Sequence, residues 1–236
     1  MKETVVEIKD LVKSFDDRKI IDNISMSIEK GAIFGFFGPN GSGKTTTMRL
    51  ILGLLAPDSG DVKVLGKNFG KDRNIRRKTG VLLESPGFNE KLTGLQNLEY
   101  YARLYGTKKN IKKNLEMVDL WNRKDEKVGK YSTGMKKRLG IARSLLSDIE
   151  LLFLDEPTTG LDPEAQRDFR KLILHLSKDE KITIFLNTHN LDEAQKICTH
   201  IAILREKKII LQGELQNILK KYKGKSLEDI YLASVE

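Results

Sequence analysis

Apolar and polar positions alternate along the chain with two different periods. Val5-Val6-Glu7-Ile8 and Lys19 to Ile28 mix apolar and polar residues in partial alternation and predict strands with one buried face. Ala32-Ile33-Phe34-Gly35-Phe36-Phe37 has no polar position and predicts a strand covered on both sides. Met48 to Leu55 reads as a buried helix, and Asp61 to Gly66 and Gly80 to Leu83 as further short strands, with a turn at Pro57-Asp58-Ser59-Gly60. The texture then changes. Thr93-Gly94-Leu95-Gln96 has the form of a capping box and opens a helix to about Tyr105. Asn110 to Val118 and Ser132 to Ser147 are helical as well, the latter with Leu139, Ala142 and Leu146 on one face.

Beyond that stretch, strand patterns return at Glu150 to Glu156 and at Lys181 to Leu186. Asp162-Pro163 starts a helix running to about Leu176, with a cap residue followed by proline in the first turn. Ile201 to Leu204 and Lys208 to Leu211 form a hairpin-like pair, and two short helical segments close the chain. Strands alternating with helices predict an α/β fold with a mostly parallel sheet and ligands at the carboxyl ends of its strands. The organisation expected is one domain, with a core at 1–85 and 149–236 and a helical insertion at about 86–148.

The segment Gly38-Pro39-Asn40-Gly41-Ser42-Gly43-Lys44-Thr45-Thr46 stands between the apolar strand and the helix. Strand, glycine loop and helix make the context of a phosphate-binding P-loop. Glycines let the backbone approach a ligand closely, and successive N–H groups then point inward beside a helix N-terminus. Lys44 would reach the β- and γ-phosphates, and the Thr45 hydroxyl would ligate Mg²⁺. Asp155-Glu156, at the end of another apolar strand, adds a carboxylate for Mg²⁺ and a second one to polarise a water.

Composition narrows the choice of partner. The 236 residues are 39% hydrophobic, and 42 Lys+Arg against 33 Asp+Glu leave a net charge of +9. A basic balance suits an anionic partner, whether nucleotide, nucleic acid or membrane face. The basic residues are scattered, with no tract resembling a nucleic-acid arm. Cys198 is the only cysteine, so no internal disulfide can form. The start, Met1-Lys2-Glu3-Thr4, lacks the form of a signal peptide, and no apolar run approaches the ~20 residues that cross a bilayer. Any membrane spanning is expected of another chain.

Taken in order, these motifs resemble the ATP-binding subunit of an ATP-binding-cassette (ABC) transporter over nearly the whole chain. Gly38 to Thr46 matches the P-loop, Asp155-Glu156 the Walker B acids, and Gly160-Leu161-Asp162 the D-loop. His189 matches the switch histidine, and Phe15 sits where the family stacks an aromatic on adenine. Ser132-Thr133-Gly134-Met135-Lys136 falls on the signature loop, with Thr133 and Met135 in place of the usual glycine and glutamine, and Lys136-Lys137-Arg138 on the same helix is expected to add positive charge there. Glu84 takes the position of the Q-loop glutamine. With Ser85-Pro86-Gly87-Phe88 after it, this is similar to the bacitracin- and lantibiotic-resistance branch of exporters.

The resemblance implies a P-loop NTPase fold, a RecA-like core with a β-subdomain and an inserted α-helical subdomain. It implies ATP contacts at Phe15, at Gly38 to Thr46 and at Glu84. It also implies contacts from Ser132, Gly134, Lys136 and Asp162, with Mg²⁺ held by Thr45, Asp155 and Glu84. Glu156 and His189 take the catalytic roles. Two copies, or two related subunits, would pair head to tail around two ATP and drive a separate permease on the cytoplasmic face of the cell membrane. The cargo implied is an antimicrobial peptide of bacitracin or lantibiotic type. No nucleic-acid partner is expected. Two rivals remain at this point: a soluble ABC ATPase acting on nucleic acid or the ribosome, and a degenerate cassette that binds ATP without hydrolysis.

Overall fold

The apolar run before the glycine loop lies inside a sheet of six strands, because it has no polar face to offer water. The computed structural model describes residues 3–68, 73–107 and 110–233. Met1 and Lys2, read above as the start of a chain without a signal peptide, lie outside the described residues. The first half runs β1 (Thr4–Phe15), β2 (Arg18–Glu29), β3 (Ile33–Phe37), α1 (Lys44–Ile51), β4 (Ser59–Val64), α2 (Arg73–Arg77), β5 (Thr79–Leu82), α3 (Gly94–Tyr105), α4 (Ile111–Met117) and α5 (Thr133–Ser144). The second half runs β6 (Leu151–Asp155), α6 (Pro163–Lys178), β7 (Thr183–Asn187), α7 (Leu191–Ile197), β8 (His200–Arg205), β9 (Lys208–Glu214), α8 (Leu215–Lys221) and α9 (Leu227–Ala233).

The large sheet has the order β5-β6-β7-β3-β8-β9. Its strands pair in parallel except β9, which returns antiparallel beside β8. The second sheet, β2-β1-β4, is antiparallel. Side chains of successive strand residues point to opposite faces, and this divides the core in two. Ile33, Phe37, Leu152, Leu154, Ile184 and Leu186 join α3 to α6 in one apolar cluster. Phe34, Phe36, Phe153 and Phe185 join the small sheet and α1 in the other. In that second layer Phe185 sits 5.3 to 6.1 Å, ring to ring, from Phe153, Phe36 and Phe34. The α/β class with its parallel sheet is as expected.

The expected helices at 94–105 and 111–117 form where their capping residues place them. Thr93 Oγ1 accepts from the Gln96 amide at 3.1 Å, while Gln96 Oε1 accepts from the Thr93 amide at 3.0 Å. Asn110 caps α4 without a reciprocal bond, its Oδ1 accepting from the Lys113 amide at 3.1 Å. Helix α5 packs directly on the sheet, because at Gly140 a Cβ would stand 2.4 Å from Leu82. The stretch at about 86–148, which we propose as the helical insertion, therefore shares one apolar cluster with the core.

Some elements differ from expectation. β1 continues past Ile8 to Phe15, because a register shift between Ile8 and Leu11, with Asp10 at φ 48°, carries the strand over Lys9-Asp10. α1 starts at Lys44 and stops at Ile51, since Gly53 at φ 62° turns the chain and leaves Leu54 exposed. α2 and α7 were not anticipated. Short helices carry little periodicity, although α7 has a legible cap in Asn190, whose side chain accepts from the Glu193 amide at 3.0 Å. Among the described residues no helix is long and apolar enough to cross a membrane.

Candidate nucleotide site

The glycine loop leaves β3 at the carboxyl edge of the sheet and enters α1 at Lys44. Gly41 and Gly43 have φ of 78° and 109°, conformations that a side chain resists. At Gly38 a Cβ would stand 2.3 Å from the Leu204 carbonyl oxygen and 2.6 Å from Ser42 Oγ, so the loop can close only with glycine there. Around Gly41 nothing lies within 4 Å, and the loop stays open on that side. Lys44 is buried, and its ammonium donates to the carbonyls of Gly38 at 2.8 Å and Pro39 at 3.2 Å. Burial pushes its pKa down, while the Glu156 and Asp155 carboxylates pull it back up. Ser42 Oγ is buried without a hydrogen-bond partner among the described residues. A buried cation and an orphaned hydroxyl beside a helix N-terminus fit an anionic group such as a triphosphate. Thr45 and Thr46 occupy the first turn of α1, with Thr45 exposed.

Asp155 ends β6 and is paired in register with Asn187 at the end of β7. The Asn187 side-chain amide, through Nδ2, donates to Asp155 Oδ1 at 2.6 Å. Burial raises the Asp155 pKa, opposed by that hydrogen bond and increased by the nearby carboxylates of Glu156 and Glu84. Such a group favours a cation beside it. Among the described residues no cluster of three or more His, Cys, Asp or Glu could hold a metal alone. Mg²⁺ takes one or two protein ligands and completes its shell with phosphate and water, and the Asp155 carboxylate suits one of those places.

Glu156 follows with φ 46°, a left-handed backbone that a non-glycine residue adopts at a cost of roughly 1–3 kcal/mol. Its amide still donates to the Asn187 carbonyl at 2.8 Å. Its carboxylate lies 2.9 Å from His189 Nδ1 and accepts from Thr188 Oγ1 at 3.2 Å. The His189 amide and Thr159 Oγ1 each stand 3.4 Å away. Gly38, Pro39, Asn40, Glu84, Glu156 and His189 line one cavity of about 460 Å³, together with Phe37, Thr159, Thr188, Leu191 and Tyr231.

Other expected contacts lie outside that cavity. Ser132 caps α5, accepting from the Met135 amide at 3.2 Å, and is exposed. Gly134 faces Leu161 and Ala165, each 3.6 Å from where its Cβ would stand. Lys136 pairs with Glu90. Asp162 caps α6 by accepting from the Ala165 amide at 2.8 Å. Phe15 is exposed at the end of β1, with the Lys13 ammonium 5.4 Å from its ring centre. The chain alone thus gathers the P-loop, Glu84, Glu156 and His189, and leaves Ser132, Gly134 and Lys136 on a separate surface.

Sequence reasoning placed Lys137 and Arg138 with Lys136 as positive charge at the start of α5, and the structure corrects this. Lys137 is buried, and Arg138 faces Asp119 and Asp168 at 3.4 and 3.7 Å. Asn187, Thr188 and Thr159 were missed as parts of the site. Asn187 and Thr188 had a signal, since both adjoin His189 at a strand end.

These features define a P-loop nucleotide-binding domain of α/β class. The ABC transporter family model matches residues 21–159. The chain is 43% identical to a bacitracin transport ATP-binding protein of Bacillus licheniformis over 95% of its own length and 74% of that protein. It is 36% identical to a bacitracin transport ATP-binding protein of Enterococcus faecalis over 93% of its length and 72% of that one. A solved ATP-binding subunit of an ABC transporter superposes with a TM-score of 0.86 at 27% identity, covering 98% of this chain and 100% of the other. The chain belongs to the ABC transporter family. It is an ATP-binding subunit, an ATPase of the transport type, and the alternative of an ATPase acting on nucleic acid is not supported. Subunits of this kind bind ATP, work with a membrane permease and are typically dimeric.

Proposed function

We propose that two copies of this chain, or this chain and a related subunit, close head to tail around two ATP and drive a separate permease that exports a bacitracin-type peptide. The single observation that carries the reading is the shared cavity, where the glycine loop, Glu84, Glu156 and His189 meet. Ser132, Gly134 and Lys136 lie outside it, which supports their acting on the nucleotide of the facing copy. Phe15 would stack on adenine, and Asp162 would hold its loop against the partner.

Thr45, Asp155 and Glu84 would hold Mg²⁺, which supplies charge neutralisation on the phosphates. Glu156 would accept a hydrogen bond from the attacking water, aim the water's lone pair at the γ-phosphate and take its proton as the new P–O bond forms and the β–γ bridge breaks. His189, already against Glu156, would orient that carboxylate and touch the γ-phosphate. Loss of the γ-phosphate removes what bridges the copies, and their separation is the usable motion.

A groove of about 480 Å³ beside α3 supports permease docking, lined by Arg76, Arg77, Leu83, Leu104, Tyr105 and Arg143. Leu83, Leu104 and Tyr105 are exposed there, and Leu83 directly precedes Glu84. A permease segment seated in that groove would feel the strand end that carries Glu84. The stretch from Glu84 to Leu95 extends the same surface. This docking would put the chain on the cytoplasmic face of the cell membrane.

The cargo rests on the similarity to bacitracin transport proteins. Co-expression with its permease in a sensitive host is expected to raise the bacitracin concentration tolerated, and co-expression of Glu156→Gln is expected not to. Equal tolerance with both chains overturns the export reading. Glu84→Gln is a milder test. An amide oxygen can still ligate Mg²⁺, so ATPase turnover in the purified chain is expected to stay within about threefold, with transport per ATP altered. Complete loss of hydrolysis would mean that the carboxylate does more than ligate.

A further inference from the structure

Lys137 lies in α5, and at 2% exposure its side chain is buried. A lysine is rarely fully buried without partners. Its ammonium donates to the Glu156 carbonyl and to the Thr159 carbonyl, each at 2.8 Å. Burial pushes its pKa down, against the pull of the Glu84 and Glu156 carboxylates. Neither carbonyl belongs to α5. Both belong to the loop that leaves β6 at the catalytic edge of the sheet.

That loop needs holding. Glu156 has its backbone at φ 46°. The sheet restrains it from one side, through its amide on the Asn187 carbonyl at 2.8 Å. From the other side the grip is the Lys137 ammonium on its carbonyl. The second carbonyl under Lys137 belongs to Thr159, whose hydroxyl stands 3.4 Å from the Glu156 carboxylate. One buried cation thus fixes both ends of a four-residue turn, and the carboxylate projects from its first residue.

We propose that Lys137 is a positioning residue for hydrolysis, holding the Glu156 backbone in its left-handed conformation so that the carboxylate faces the cavity. It also ties the helix that starts at Ser132 to the Glu156 of the same copy. This deepens the function proposed above and rests on Glu156 being the group that acts on water. The part played by Lys137 is to set direction, because a reacting group displaced by about 1 Å can lose on the order of 100-fold in rate. The hydrogen bonds of Lys137 go to the Glu156 and Thr159 carbonyls and those of Lys44 to the glycine loop, so affinity for ATP is expected to change little with Lys137.

The test uses the purified full chain. Lys137→Met keeps most of the apolar stem and removes the donor, while Lys137→Gln, matched to methionine in reach, is neutral and still donates. Lys137→Met is expected to lower kcat by roughly 10- to 100-fold. Its affinity for a fluorescent ATP analogue should stay within about threefold, since no phosphate ligand is changed. Lys137→Gln is expected to recover at least about a third of the wild-type kcat. Wild-type kcat in folded Lys137→Met overturns the proposal, as does a glutamine variant no better than the methionine one. Loss of affinity with kcat intact also overturns it. If Lys137→Met fails to fold, Lys137→Ser takes its place, being too short to reach either carbonyl, and a serine variant with wild-type kcat overturns the proposal equally. Glu156→Gln run alongside separates the two ideas. Normal hydrolysis there removes the role of Glu156, whereas loss there with normal Lys137→Met turnover removes the role of Lys137 alone.

Discussion

Glu156→Gln is expected to stop ATP turnover while ATP still binds and the paired state accumulates. The side chains are nearly the same size, so packing is preserved. The change is chemical. The carboxylate takes up four contacts in this structure, from His189 Nδ1, the His189 amide, Thr188 Oγ1 and Thr159 Oγ1. An amide keeps one accepting oxygen, which can serve the three donors that share Oε2, and places a donor where Oε1 met His189 Nδ1. It also cannot take a proton from water. Removing a general base typically costs about 10²- to 10⁴-fold in rate. The glycine loop and Lys44 are untouched, so affinity for ATP is expected to be preserved. With γ-phosphate retained, the bridge between copies persists, and light scattering in ATP should report about twice the mass seen without it. A variant that hydrolyses at the normal rate would remove Glu156 from the chemistry.

Lys44→Ala is expected to lose ATP. The ammonium is the only side-chain cation hydrogen-bonded inside the glycine loop among the described residues, bonded to Gly38 and Pro39 carbonyls. In the ATP-bound state those carbonyls and the phosphates would share its three donors. A charge-assisted hydrogen bond of this kind contributes up to about 3 kcal/mol, so affinity should fall on the order of 100-fold. Folding should suffer much less. Alanine leaves two carbonyls without Lys44, yet it also removes a buried ammonium whose desolvation is unfavourable, as its lowered pKa records. The net change in stability is expected to be about 1 kcal/mol. Nucleotide titration beside a thermal melt checks both halves. Unchanged affinity in a folded variant would defeat the phosphate-binding assignment.

The legible parts of the protein were those governed by neighbours along the chain. Helices α3, α4 and α6 announce themselves through Thr93, Asn110 and Asp162, whose side chains each cap the amide three residues on. β3 and β6 are apolar without a break, and such strands have few other places to go. β1 was legible only to Ile8, because a bulge at Asp10 breaks the alternation that reveals a strand. Lys137 was misread for a related reason. Between Lys136 and Arg138 it looks like one of three surface charges, and nothing local says that it turns inwards.

What the amino-acid sequence determined alone was the glycine loop, the acids after an apolar strand, and the parallel α/β plan. Each of these depends on backbone conformation, capping or side-chain period over a few residues, and short-range physics suffices for that. The tertiary structure decided which groups meet: His189 on Glu156 from the next strand, Glu84 across the cavity from the P-loop, Lys137 under the carbonyls of a distant turn. Those contacts arise from strand order and from the seat of α5 on the sheet, which the whole core sets through burial, and no single segment of the chain encodes them.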